Sequence, residues 1–214
     1  MLLGLPGAGK GTQASRVAAA AGVPHIATGD MFRQAVASGS ALGLRVKDFL
    51  DRGALVPEDV AIAVVGERLA AGDAAGFVLD GFPRTRPQAD ALEGMLGALG
   101  RPLDAAVYLD VPEAVVVARL SGRRVCPSCG ATYNVQSDPP ADDGLCRRCG
   151  HAVVQRSDDG EETQRRRIAV YRQDTQPLID FYRAHGRLIT IPGDRDAASV
   201  AAAILEAVRS GLAG

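Results

Sequence analysis

The stretch Gly4-Leu5-Pro6-Gly7-Ala8-Gly9-Lys10-Gly11-Thr12 decides how the rest of the chain is read. It carries the G-x-x-x-x-G-K core of a phosphate-binding loop. Its glycines let backbone N–H groups turn inward and line a nest for an anion, and Thr12 opens a helical pattern whose positive end faces that nest. Lys10 adds a compact charge on a flexible stem, able to follow a moving phosphate. The competing reading is a glycine-rich turn without a ligand; the apolar run before the loop and the helical pattern after it argue against that. Gly7, Ala8, Gly9, Lys10, Gly11 and Thr12 are therefore assigned to a nucleoside triphosphate. The general pattern places Ser or Thr directly after the lysine as a magnesium ligand, but Gly11 stands there. Magnesium then falls to phosphate oxygens and water, with a carboxylate as orienter. Asp80, ending a buried strand, fits that task; the alternative is a turn aspartate ahead of Gly81.

Outward from the loop, five segments read as short buried strands: 1–5, 25–27, 77–80, 105–110 and 187–191. Alanine- and leucine-rich helical patterns separate them, at 12–21, 57–70, 86–99, 112–120 and 197–212. Strands alternating with helices predict an α/β P-loop fold of three layers, a five-stranded parallel sheet with helices on both faces. The first strand is so short that the natural start is expected a little upstream. Two regions break the alternation. Residues 28–56 read as a compact helical insertion, and residues 123–156 are loop-rich, with Pro139-Pro140 and Asp142-Asp143-Gly144. Both are expected over the C-terminal ends of the strands.

Composition narrows the function. With 214 residues, 47% apolar and 23% charged, the chain suits one good core plus insertions. A net charge of −1 and no basic tail disfavour a general nucleic-acid binder. Only Lys10 and Lys47 are lysines among 24 Lys and Arg residues, so arginine count alone says little. No stretch is long and apolar enough to span a membrane, and the glycine loop stands where a signal peptide would be, so a cytoplasmic protein is expected.

In that reducing setting the four cysteines read as metal ligands. Cys126-Pro127-Ser128-Cys129 and Cys146-Arg147-Arg148-Cys149 are two C-x2-C hooks separated by sixteen residues. Such hooks form one tetrahedral four-thiolate site, closed to substrate and hence structural, with zinc the expected metal. His151, just past the second hook, reads as a bystander.

The second dense motif is Asp80-Gly81-Phe82-Pro83-Arg84, followed by Gln88. Gly81 and Pro83 bend the chain and aim Arg84 back toward the phosphate loop. Together with Lys10-Gly11-Thr12-Gln13, Thr28-Gly29-Asp30-Met31 with Arg33, Gly122-Arg123-Arg124, Arg156, Asp158-Asp159 and Arg167, it makes nearly the whole chain resemble the adenylate kinases of the long, zinc-lid type. The resemblance implies a monomer that transfers the terminal phosphate of Mg-ATP to AMP. It implies a core of residues 1–27, 57–122 and 157–214, a monophosphate-binding domain at 28–56 and a zinc lid at 123–156. AMP contacts would fall to Thr28, Arg33, Ala54, Leu55, Val56, Gly81, Phe82, Pro83, Arg84 and Gln88, with Gln88 reading the adenine edge. Arg119, Arg123, Thr132, Tyr133 and Arg195 match donor-nucleotide positions, although the family usually shows lysine at the last. Lys10, Arg84, Arg123, Arg156 and Arg167 match the catalytic set, the last two gripping the transferring phosphate and AMP.

The residues support part of this without the family. Phosphoryl transfer depends mainly on positioning and positive charge, and arginine forks hold phosphate oxygens in pairs. Arg119 has a second reading as a cation in the last turn of its helix. Asp159 and Glu162 have capping-box spacing, and Glu161 and Glu162 each stand four residues before an arginine. Arg167 instead has Thr163 at that position, which leaves it for a ligand or for the solvated surface. A kinase for another monophosphate, a regulatory NTPase and a zinc-ribbon nucleic-acid module are the rival functions.

Overall fold

The computed structural model describes residues 1–72 and 76–212. In chain order the core elements are β1 (Leu2–Leu3), α1 (Lys10–Ala21), β2 (His25–Ala27), α2 (Thr28–Ala37), α3 (Ala41–Asp51), α4 (Glu58–Ala70), β3 (Val78–Asp80), α5 (Arg86–Ala98), β4 (Ala106–Asp110) and α6 (Glu113–Ser121). A small hairpin, β5 (Arg123–Val125) and β6 (Thr132–Asn134), follows; then come α7 (Glu161–Val170), α8 (Pro177–Ala184), β7 (Leu188–Pro192) and α9 (Ala197–Leu212).

The five core strands form one parallel sheet in the order β2-β3-β1-β4-β7, as the alternation of strand and helix patterns predicted. The pleat sends successive side chains to opposite faces, and both faces are covered. Leu2, Val78, Val107 and Leu109 pack beneath α1, α6 and α9. Leu3, Ile26, Leu79 and Ala106 pack beneath α4, α5 and α8. The first strand is shorter than predicted, two residues pairing with Asp80, Val107 and Tyr108, because Gly4 turns the chain away at φ 146°. Yet it is the central strand, so the loop that follows emerges at the middle of the sheet, where the C-terminal ends of neighbouring strands form a crevice.

The phosphate loop lies close on α6. A Cβ added at Gly7, where φ is 89°, would come within 2.7 Å of Leu120 Cγ. No other residue type fits that approach and that backbone angle together. The segment 28–56 folds as α2 packed on α3, with Ser40 capping α3 by accepting from the Gly43 N–H at 3.1 Å. A Cβ at Gly43 would sit 2.1 Å from the Ala35 carbonyl oxygen, so glycine is what lets the two helices meet. Residues 123–156 are built on the β5–β6 hairpin and bridges such as Val125↔Val154, around a minimal core of Cys126, Tyr133 and Cys146.

Between α7 and α8 the helical path widens into a π turn over Tyr171–Thr175. A proline inside a helix donates no hydrogen bond, and its ring crowds the carbonyl four residues back. Pro177 imposes that conflict, and the wider turn just ahead of it absorbs it.

Candidate active site

Two clefts open along the C-terminal ends of the strands. The first, about 580 Å³, is lined on the α2–α3 side by Thr28, Arg33, Leu50, Ala54 and Val56, and on the core side by Gly81, Phe82, Arg84, Gln88 and Arg167. The second, about 520 Å³, is lined by Gly4, Lys10, Leu55, Pro83, Tyr171 and Thr175. Gly53, Leu55, Gly81, Arg84 and Arg167 line both, so the two spaces adjoin, with two arginines in the shared wall.

Each wall follows from local chemistry. Thr85 caps α5 by accepting from the Gln88 N–H, and Pro87 lies in the first turn, where its missing N–H costs nothing. That start places Gln88, almost fully buried, so that its Oε1 accepts from the Arg84 backbone N–H at 2.8 Å. The Arg84 side chain folds back to donate from Nε to the Gly81 carbonyl at 2.8 Å. Thr28, at the start of α2, donates to the Asp80 carbonyl at 3.3 Å and so fixes α2 to the sheet.

In the phosphate loop, Lys10 Nζ donates to the carbonyls of Gly4 and Leu5 at 2.7 and 2.9 Å. Burial lowers its pKa to about 8; Asp80 opposes that shift, while Arg84, Arg167 and Arg123 reinforce it. Asp80 lies under the first turn of α1, where a Cβ at Gly11 would stand 3.4 Å from its Oδ2. Asp80 thus lies within van der Waals reach of the position directly after the lysine. Burial works against ionisation of Asp80, but His25, Lys10 and Arg84 outweigh it and hold the pKa below the usual carboxylate value.

Three further arginines meet two adjacent carboxylates. Arg156 grips Asp158 with both arms of its fork, at 2.9 and 2.8 Å, and Arg167 Nη1 donates to the same carboxylate at 2.9 Å. Arg123 forms a two-pronged pair with Asp159, its Nε at 2.7 Å, and Arg167 lies 3.6 Å from that carboxylate as well. The Asp159 side chain is fully buried. Burial raises the cost of ionising Asp158, yet Arg156 and Arg167 overcome it and hold the pKa at about 2. Burial, with the crowding of Arg123, Arg156 and Arg84, brings Arg167 down to about 10 against the pull of Asp158.

These pairings correct two sequence expectations. Asp159 does not cap α7: Gly160 holds the N-cap position, and the carboxylate is spent on Arg123. Arg167 is not left without a partner, because its partners come from the residues just before its helix. The sequence signal was present in Asp158-Asp159 between Arg156 and Arg167, but local spacing rules look only along one helix. Glu161 does pair with Arg165, at 2.6 Å.

The adenylate kinase family model matches residues 2–187. Among curated relatives, the adenylate kinase of Kosmotoga olearia is 53% identical over 201 residues, 94% of each chain. That of Desulfitobacterium hafniense strain DCB-2 is 50% identical over 212 residues, covering 99% of this chain and 98% of the relative. That of Archaeoglobus fulgidus is 50% identical over 214 residues, with 98% and 99% covered. The chain belongs to the adenylate kinase family.

This kinase-family chain brings Lys10, Arg167 and the expected AMP contacts other than Arg156 to the two clefts, and sets the remaining expected residues elsewhere. Arg119 Nη1 donates to the carbonyls of Ala8 and Gly193, at 3.3 and 3.0 Å, tying the phosphate loop to the loop after β7. Arg195, in that second loop, is exposed. Thr132 is exposed too, whereas Tyr133 is buried and places its hydroxyl 3.2 Å from Cys146 Sγ, so its side chain serves the cysteine cluster. The sulfurs of Cys126, Cys129, Cys146 and Cys149 all lie within 4.8 Å of one another. His151 Nδ1 faces the Cys149 carbonyl, and no His, Asp or Glu joins the four cysteines among the described residues. One residue unmarked by the sequence is Asn134, which donates to the Arg119 carbonyl at 3.0 Å and anchors the hairpin to the end of α6. Among the described residues no helix is long and apolar enough to cross a membrane.

The paired Asp158 predicts how acid acts on the fold. Its pKa is depressed in the folded chain, so its contribution is complete above the ordinary value of 3.8 and is lost as pH falls toward about 2. The expected size is about 2 kcal/mol, read as the difference in pH dependence of chemical denaturation between the wild type and Asp158→Asn. Parallel curves from pH 5 to 2 would contradict the pairing.

Proposed function

We propose that the chain transfers the terminal phosphate of Mg-ATP to AMP, reversibly, giving two ADP. The observation that carries this is that the two clefts adjoin, with Arg84 and Arg167 in the shared wall, Lys10 in one and the α2–α3 wall in the other. A triphosphate site alone needs one cleft; a transferase needs an acceptor space that ends at the same phosphate.

In this reading the donor phosphates lie in the nest of Gly7–Thr12. Arg119 sits beside the donor nucleotide, Arg195 approaches it from the loop after β7, and the Thr132–Tyr133 strand approaches it from the lid. Residues 28–56 form the acceptor domain: Thr28, Val56 and Gln88 face the adenine, Ala54, Leu55 and Gly81–Pro83 line its path, and Arg33 and Arg84 hold the monophosphate. An oxygen of that monophosphate attacks the terminal phosphorus in line, and the bond to the bridging oxygen of the leaving ADP breaks. The acceptor oxygen is already anionic, so no general base is required, and positioning with charge stabilisation supplies the catalysis. Lys10 follows the moving phosphate, while Arg123, Arg156 and Arg167 exchange Asp158 and Asp159 for phosphoryl oxygens. Magnesium bound to the phosphates would neutralise their charge, and Asp80 is placed to orient its waters.

Residues 123–156 act as a lid that excludes water, whose attack would waste the phosphate. With so small a core of its own, the lid depends on a metal for folding energy. Four thiols this close fit the tetrahedral cage of a structural zinc, at about 2.3 Å per bond.

The test is ADP formation with each pairing of ATP or GTP and AMP, GMP, UMP or CMP. Fast turnover is expected for ATP with AMP, reduced by at least about a thousandfold in Lys10→Met with the fold retained. Slow ATP hydrolysis that no monophosphate accelerates would sink the proposal. For the lid, Cys129→Ser should lower both the melting temperature and the zinc found by elemental analysis. An unchanged melting curve in a zinc-free variant would show that the metal has no structural part.

A further inference from the structure

We propose that Thr175 is a positioning residue for Arg84, holding it from the π turn of the α7–α8 helical run. The proposal rests on the assignment of Arg84 to the acceptor phosphate made above. Arg84 lies between β3 and α5 in a segment with no ladder or helix to fix its backbone. Its N–H is held by Gln88 and its Nε by Gly81, both local contacts. Its carbonyl is held from far along the chain, by the Thr175 hydroxyl donating at 2.8 Å. Thr175 is buried, and it lines the Lys10 cleft.

The π turn explains how a helical threonine comes to do this. In a regular helix a threonine hydroxyl commonly bonds back to the carbonyl four residues earlier, here that of Tyr171. In this turn the Tyr171 carbonyl accepts from the Gln176 N–H at 2.8 Å, five residues on. The hydroxyl is released to reach across to Arg84. Arg167 stands on the same helical run, eight residues before Thr175. The strut therefore sets Arg84 against Arg167, the two arginines that line both clefts. Misplacement of a reacting group by about 1 Å can cost on the order of a hundredfold in rate. A buried hydroxyl-to-carbonyl bond at this junction is thus a sensitive point.

Thr175→Val keeps the shape and removes the donor; Thr175→Ser keeps the donor. Steady-state turnover of ATP with AMP should fall about tenfold in kcat for Thr175→Val, with the KM for ATP within about twofold of wild type. Thr175→Ser should recover most of the loss, which a purely packing role of the methyl group would not allow. A double-mutant cycle supplies the decisive readout. In an Arg84→Lys background, Thr175→Val should cost little more, because the residue it positions is already lost. A full tenfold loss in both backgrounds, or wild-type kcat in Thr175→Val, would overturn the proposal. If Thr175→Val loses its fold by circular dichroism, Thr175→Ala serves in the same cycle. Wild-type turnover in Arg84→Lys alone would instead overturn the role of Arg84 itself, a separate failure.

Discussion

Positive charge gathered in one region must be matched by negative charge, and this constraint organises the molecule. Lys10, Arg84, Arg123, Arg156 and Arg167 converge from the start of α1, the turn after β3, the two ends of the 123–156 segment and α7. Their mutual repulsion and burial are visible in the depressed pKa of Lys10, Arg84 and Arg167. Asp80, Asp158 and Asp159 supply part of the balance. Buried arginine forks paired in this way are costly to leave without a partner, so a phosphate that displaces a carboxylate must offer bonds of equal quality. A phosphoryl group with several charged oxygens does.

The glycine loop and the sheet stand in service of that convergence. The central strand ends after two residues, which delivers the loop to the middle of the crevice, and α1 then points its N-terminus at the same place. Glycine at position 11 offers no hydroxyl, and the Asp80 carboxylate lies next to that position. The cysteine hooks hold a segment with almost no core of its own, and Arg123 and Arg156 stand at its two ends. In the proposed mechanism, a lid with an arginine at each root would couple closure to the charge balance of the cleft.

What was legible in the sequence was whatever is encoded locally. The phosphate loop, the two C-x2-C hooks and the β–α alternation each declare themselves within a short window, and the parallel sheet followed from them. Long-range partners were not legible in the same way. The carboxylate of Asp159 was read as a cap because Glu162 stands at capping distance, yet Arg123, 36 residues earlier in the chain, takes it. Tyr133 matched a donor-nucleotide position, while its hydroxyl lies against Cys146. The Thr175 bond to Arg84 spans 91 residues and depends on a π turn that Pro177 induces, which no periodicity reveals.

The central claim is that the closed, arginine-lined cleft moves phosphate between nucleotides and denies it to water. The most direct measurement follows the label from terminally labelled ATP in a single turnover with excess enzyme and AMP. The label is predicted in the ADP formed from AMP, with inorganic phosphate near background. Release of labelled orthophosphate at a rate comparable to transfer would contradict it.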